Sequence, residues 1–167
     1  MTSSRKKPTL SLMEIEINNE SNALPLDEER VRAILQRILS DAGYQRGRME
    51  IDVIDDETIH RLNVQFLGHD YATDVLSFEM DRDEETRFLE GNVIVSDETA
   101  RDRSIEFGWP GENELFLYIV HGTLHLVGYD DHSPEDEKRM RGAERKYLAL
   151  AGIDHVAAPS ELGKKED

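Results

Sequence analysis

Three histidines, His121, His125 and His132, fall within one short stretch, His-Gly-Thr-Leu-His-Leu-Val-Gly-Tyr-Asp-Asp-His. Residues four apart on an α-helix are separated by about 6 Å of rise and only ~40° of rotation, so the first two rings leave from the same face. A third imidazole just past a glycine turn can swing back to complete a facial set of three nitrogens. Such a set holds a divalent transition metal with one position open to water or substrate, as catalytic sites do; a structural site would use four protein ligands. With 6 histidines in 167 residues, about 0.2 pairs at this spacing arise by chance, so the pair alone is weak and its context decides.

The context is specific. The run before the pair, Glu114-Leu-Phe-Leu-Tyr-Ile-Val120, is apolar enough for a buried helix. Buried imidazoles need a hydrogen-bond partner or a metal. Gly128 lets the chain reverse, and Ser133-Pro134-Glu135-Asp136 reads as an N-cap, a first-turn proline and a capping acid that open another helix. His132 therefore lies at a corner between two helices. The residue after His121 is Gly122, where an HExxH peptidase carries the glutamate that activates water. Peptide hydrolysis of that design is disfavoured, whereas a metal-activated hydroxide could still attack a phosphodiester.

The elements that must position these residues are short and mixed. Met13, Ile15 and Ile17 alternate with polar residues as a strand, as do Met49, Ile51 and Val53. Leu26, Val31, Ile34, Leu35, Ile38 and Leu39 follow helical spacing, and Gly43 marks the stop. Asp55 or Asp56 caps a short helix through Phe66, with Ile59, Leu62 and Phe66 facing inward. Val75 to Phe78 and Gly91 to Val95 are neighbouring strands joined by a charged loop, Asp81 to Thr86. Ser96 caps a helix to about Phe107, and Gly108-Trp109-Pro110-Gly111 breaks it, with Trp109 a packing residue. The metal helix spans about Glu112 to Val127. A last helix from Ser133 to Ala151 packs Met140, Ala143, Tyr147 and Leu150. The expected fold is α+β, a small four-stranded mixed sheet with about five helices.

Composition sets the bounds. The chain reads as one domain over residues 1–167, with loose ends at about 1–8 and 157–167. It has no cysteine, hence no disulfide or thiolate metal site, and no apolar run of ~18 residues or signal-peptide core; it is expected to be soluble and cytoplasmic. A net charge of −16 argues against a general nucleic-acid binder. Contact with RNA would require a local basic patch, a metal, or a partner that presents the RNA.

The histidine segment, Thr73-Asp74-Val75-Leu76-Ser77-Phe78 and Gly91-Asn92-Val93-Ile94-Val95-Ser96 together resemble the YbeY family, bacterial endoribonucleases of rRNA maturation, over about Leu62 to Tyr147. The resemblance implies a zincin-like site with one divalent metal, Zn2+, held by His121, His125 and His132. The usual family motif is one residue shorter, so strict register puts Asp131 in the third ligand position; His132 is preferred and Asp131 is the alternative. Asp74 and Asp130 are candidates to orient the ligand imidazoles. Thr73, Asp74 and Ser77 equally suit a strand opening and its backbone hydrogen bonds. The family usually carries a Tyr-Arg pair where this chain has Phe66 and Leu67, which removes a cation able to grip a phosphate. Arg61 and His69 are the nearest substitutes in sequence. Asn92 and Ala72 are smaller departures, from an aspartate and a proline.

The function implied is a metal-dependent, single-strand-specific endoribonuclease in small-subunit rRNA 3′-end processing and late ribosome assembly. Its partners would be rRNA and the small ribosomal subunit with its proteins, not DNA and not a membrane. A ribosome-assembly factor with a structural or docking metal is the alternative, favoured by Leu67 and the acidity; a metallopeptidase comes third.

Overall fold

Alternation of apolar and polar residues builds four strands: β1 (Met13–Asn19), β2 (Arg46–Ile54), β3 (Val75–Asp83) and β4 (Phe88–Ser96). The structure, a computed structural model, describes residues 13–68 and 74–154. The chain ends expected to be loose, and Ala72 and Thr73, lie outside the described residues. The sheet order is β1-β2-β4-β3. β1 and β2 run parallel, as do β2 and β4, while β3 and β4 form an antiparallel hairpin with a bulge between Glu79 and Asp81. The sheet is therefore mixed, and with five α-helices among the described residues the fold is α+β.

Helix α1 (Glu28–Asp41) is the crossover that parallel β1 and β2 require. Asp27 caps it by accepting from the Arg30 N–H, and Val31, Ile34, Leu35, Ile38 and Leu39 form its buried stripe. Helix α2 (Asp56–Leu62) is capped by Asp55 through the Thr58 N–H. Helices α3 (Asp97–Phe107), α4 (Gly111–Leu126) and α5 (Pro134–Leu150) complete the chain order. Ser96 caps α3 and Ser133 caps α5, each accepting from the N–H three residues on.

Helix α4 carries the histidine pair and lies against β3, β4, α1, α3 and α5. Leu115 to Val120, Leu124 and Leu126 are all buried in the main core, together with Met49, Ile51, Val53, Leu89, Val93 and Val95 of the sheet. A smaller cluster joins Ile59 of α2 to Ile54 at the end of β2, Leu76 of β3 and Ile94 of β4. Trp109 packs against the main core, as its place in the loop before α4 suggested.

Three local expectations need correction. Helix α2 does not continue regularly to Phe66: residues Asn63–Leu67 form a π turn. The wider turn rotates the side chains beyond it, and Phe66 is 59% exposed rather than inward. It meets Phe78 edge-on, with ring centroids 6.3 Å apart. The charged segment from Asp81 is not all loop, because β3 runs on to Asp83 and pairs with Phe88. Its charges are tolerated on an edge strand, where side chains reach water. Leu150 is 50% exposed; the buried stripe of α5 instead runs through Met140, Ala143, Glu144, Tyr147 and Leu148.

Candidate metal centre

The helical spacing of His121 and His125 does what the geometry requires. Both rings leave the same face of α4, at centroids 4.6 Å apart, with the two Nε2 atoms 3.1 Å from each other. After α4 the chain reverses at Gly128, whose φ of +111° favours glycine. The Tyr129 N–H closes the turn on the Leu124 carbonyl at 3.0 Å. That reversal carries residues 129–132 back past the imidazoles.

The return brings a carboxylate beside the pair. Asp131 Oδ2 lies 3.6 Å from His125 Nε2, and His121, His125 and Asp131 each offer a donor atom within 4.8 Å of the others. His132 belongs to an adjacent group with Asp130 and Asp131. Its side chain is 83% exposed, and its Nδ1 lies 3.2 Å from Asp130 Oδ1. Asp130 thus touches His132, and its Oδ1 also accepts from the Asp131 N–H at 2.8 Å.

The far nitrogens of both helix imidazoles are engaged. His125 Nδ1 lies 3.1 Å from the Tyr129 carbonyl, which can only accept, so Nδ1 carries the proton and a neutral ring has its lone pair on Nε2. His121 Nδ1 lies 2.6 Å from Glu144 Oε2, a fully buried carboxylate on α5 whose Oε1 accepts from Arg141 Nη1 at 2.7 Å. Burial, reinforced by His121, holds the His125 imidazole below its ordinary value and keeps it neutral. Each ring thus turns its Nε2 towards the other, 3.1 Å apart, with the Asp131 carboxylate alongside. Two imidazole nitrogens and a carboxylate oxygen facing one point are a donor set that a divalent metal takes, so the residues present fit one.

Gly122 faces the sheet, not this centre. A Cβ there would come within 2.6 Å of Val93 Cγ1 and 3.0 Å of both Ser77 Oγ and Val75 Cγ1. Ser77 Oγ donates to the Gly122 carbonyl at 3.0 Å, so the serine of the Thr73–Phe78 segment docks α4 on β3. Asp74 stands just before β3, its carbonyl accepting from the Ser96 N–H at 3.1 Å. Arg61 pairs with Glu57 at 3.5 Å on exposed α2. His69 lies outside the described residues.

Glu144 and Arg141 escaped the sequence reading. The signal was there: two charged residues three apart occur among Met140, Ala143 and Tyr147, the apolar stripe of α5. Charges within such a stripe call for a buried partner. Nothing local, however, said that the partner would be His121.

Most of the chain is similar to proteins of one family. The family model described as "Endoribonuclease YbeY" matches residues 16–152. Curated proteins of that name include one from Rhodopirellula baltica, 46% identical over 114 residues; the alignment covers 67% of this chain and 58% of the relative, so the chain matches little more than half of that protein's length. Another, from Salinibacter ruber, is 36% identical over 140 residues, covering 80% of this chain and 89% of the relative. A solution structure of a Thermotoga maritima protein shares the fold, with a TM-score of 0.58 and 24% identity, over 88% of this chain and 95% of that one.

Proposed function

The chain belongs to the YbeY endoribonuclease family, and on that premise we propose that it is a metal-dependent, single-strand-specific endoribonuclease acting in small-subunit rRNA 3′-end maturation. The observation that carries the reading is the convergence of His121 Nε2, His125 Nε2 and an Asp131 oxygen within 4.8 Å of one another. Zn2+ suits two imidazoles and a carboxylate. Of the two candidates for the third ligand, Asp131 already stands beside both rings, while His132 points to solvent and would have to turn inward.

When bound, the metal supplies a Lewis acid that polarises a phosphoryl oxygen and acidifies water. The protein's part is to hold its donors still. Glu144 and the Tyr129 carbonyl fix the two imidazoles from behind. Gly122 and Ser77 seat α4 against the sheet. No glutamate side chain can take the place of Gly122 without displacing Val93, so the general base of an HExxH peptidase has no room at that position. Phosphodiester hydrolysis would need no such base, since a bound metal would itself supply the acidity that activates water.

The acid-rich surface is consistent with delivery of RNA by a partner, and rRNA on the small ribosomal subunit with its proteins is the proposed setting, in the cytoplasm. Among the described residues no helix is long and apolar enough to cross a membrane. The −16 charge and Leu67 in place of an arginine favour a second reading, an assembly factor whose metal is structural or docks a partner.

The test combines metal content with cleavage of an rRNA 3′-end fragment, before and after chelation, for the wild type and His121→Ala. Stoichiometric zinc with cleavage lost on chelation and in His121→Ala supports the nuclease. Stoichiometric zinc with intact RNA in every sample supports the assembly factor instead.

A further inference from the structure

Both oxygens of the buried Glu144 carboxylate are engaged. Oε1 accepts from Arg141 Nη1 at 2.7 Å and Oε2 lies 2.6 Å from His121 Nδ1. The Glu144 side chain has no exposed surface and that of Arg141 is 9% exposed. A guanidinium only donates, so whatever faces Arg141 must accept. Among the described residues Arg141 Nη2 has no hydrogen-bond partner, which leaves the Nη1 bond to Glu144 as a principal anchor of the guanidinium. An ionised carboxylate accepts on both sides. It answers Arg141 with one oxygen and draws the imidazole proton onto His121 Nδ1 with the other. In the neutral form in which an imidazole ligates a metal there is one N–H, so with Nδ1 protonated the lone pair lies on Nε2, the atom that faces His125.

We infer that Arg141 and Glu144 are positioning residues that together fix the His121 tautomer, with the lone pair on Nε2. The inference rests on the metal-centre reading in that Nε2 is the donor it prepares, but the tautomer is a property of the metal-free protein. Its recognition element is the polarity of the chain of hydrogen bonds, Arg141 to Glu144 to His121, rather than the presence of any one charge.

Glu144→Gln is the informative variant, because it keeps the shape and changes one acceptor into a donor. Arg141 takes the amide oxygen, which turns the NH2 towards His121 and moves the imidazole proton to Nε2. The full-length variant is expected to bind Zn2+ roughly 10- to 100-fold more weakly than the wild type in competition with a chromophoric chelator. Nitrogen-15 imidazole spectra of the metal-free proteins should show His121 changing from Nδ1–H to Nε2–H. Adding Arg141→Met to Glu144→Gln frees the amide to rotate and offer its oxygen to Nδ1, so the double variant should recover most of the lost affinity. A merely structural role for Arg141 would give no such rescue.

Unchanged Zn2+ affinity together with an Nδ1–H tautomer in Glu144→Gln overturns the inference, as does a double variant no better than the single. Should circular dichroism show Glu144→Gln unfolded, the wild-type spectrum decides: Nδ1–H at His121 supports the inference and Nε2–H overturns it. None of these readouts is RNA cleavage. A protein with the tautomer as inferred that leaves RNA intact fails the nuclease reading alone.

Discussion

Gly122 on α4 and Val93 on β4 approach so closely that a Cβ on the glycine would lie 2.6 Å from Val93 Cγ1. Val93 is fully buried and β-branched, so it has no easy rotamer to escape into. Gly122→Ala should therefore push α4 off the sheet, costing about 1–3 kcal/mol in denaturant unfolding. Gly122→Glu, which would recreate the peptidase motif in sequence, should fail to fold stably and show no peptidase activity. A well-folded, peptide-cleaving Gly122→Glu protein would contradict this packing.

The third ligand can be assigned by paired variants. Asp131→Ala should weaken Zn2+ binding by at least 10-fold in chelator competition, as expected when a donor is lost from a three-residue site. His132→Ala should change it by no more than a few-fold, because that ring is largely exposed and bound to Asp130. The reverse order would make His132 the ligand, turned inward on metal binding.

Arg82 holds the end of the metal helix. From edge strand β3 its Nη2 donates to the Leu126 carbonyl at 2.8 Å and to Glu79 at 2.7 Å, while Nη1 donates to the Tyr44 hydroxyl at 2.7 Å. The Leu126 carbonyl is one of the C-terminal acceptors that α4 cannot satisfy internally. Arg82→Ala should destabilise the protein by roughly 1–3 kcal/mol, since it takes the donor from the part-buried Leu126 carbonyl and Tyr44 hydroxyl at once. Hydrogen exchange should show the last turn of α4 and the Gly128 turn opening faster than the rest of that helix. Uniform protection along α4 in the variant would argue against the clamp.

Glu114 gives a pH signature of opposite sign to most carboxylates. Burial raises its carboxyl above the ordinary value of 4.5, although Oε1 accepts from Trp109 Nε1 at 2.7 Å. A folded-state value above the unfolded one means the native state binds this proton more tightly. The contribution to stability is full below the ordinary value and is lost as pH rises through the raised one. Glu114→Gln keeps an oxygen for Trp109 and removes the charge. Its melting temperature should exceed that of the wild type at pH 8, with the gap closing as pH falls towards 4.5. A gap that is constant with pH would place the effect in packing rather than ionisation.

Sequence by itself determined what depends on neighbours along the chain. The i,i+4 spacing put His121 and His125 on one face because helix geometry allows nothing else. The capping signals at Asp55, Ser96 and Ser133 worked because an N-cap bond spans three residues. Alternation marked β1 and β2, short apolar runs marked β3 and β4, and Gly128 with the Ser133-Pro134 cap marked the corner at His132.

Tertiary structure decided what depends on distant segments meeting. That β2 pairs with β4 rather than β3 is set by how the sheet closes, not by any property of β2. The π turn at Asn63–Leu67 exposed Phe66, although the apolar spacing alone would have buried it. Glu144 reaches His121 across 23 residues of chain because α5 folds back along α4. The physical reason is one of range. Local hydrogen bonds and helical periodicity act over three or four residues and can be read one segment at a time, whereas a buried charge is stabilised only by the partner that the completed fold brings to it.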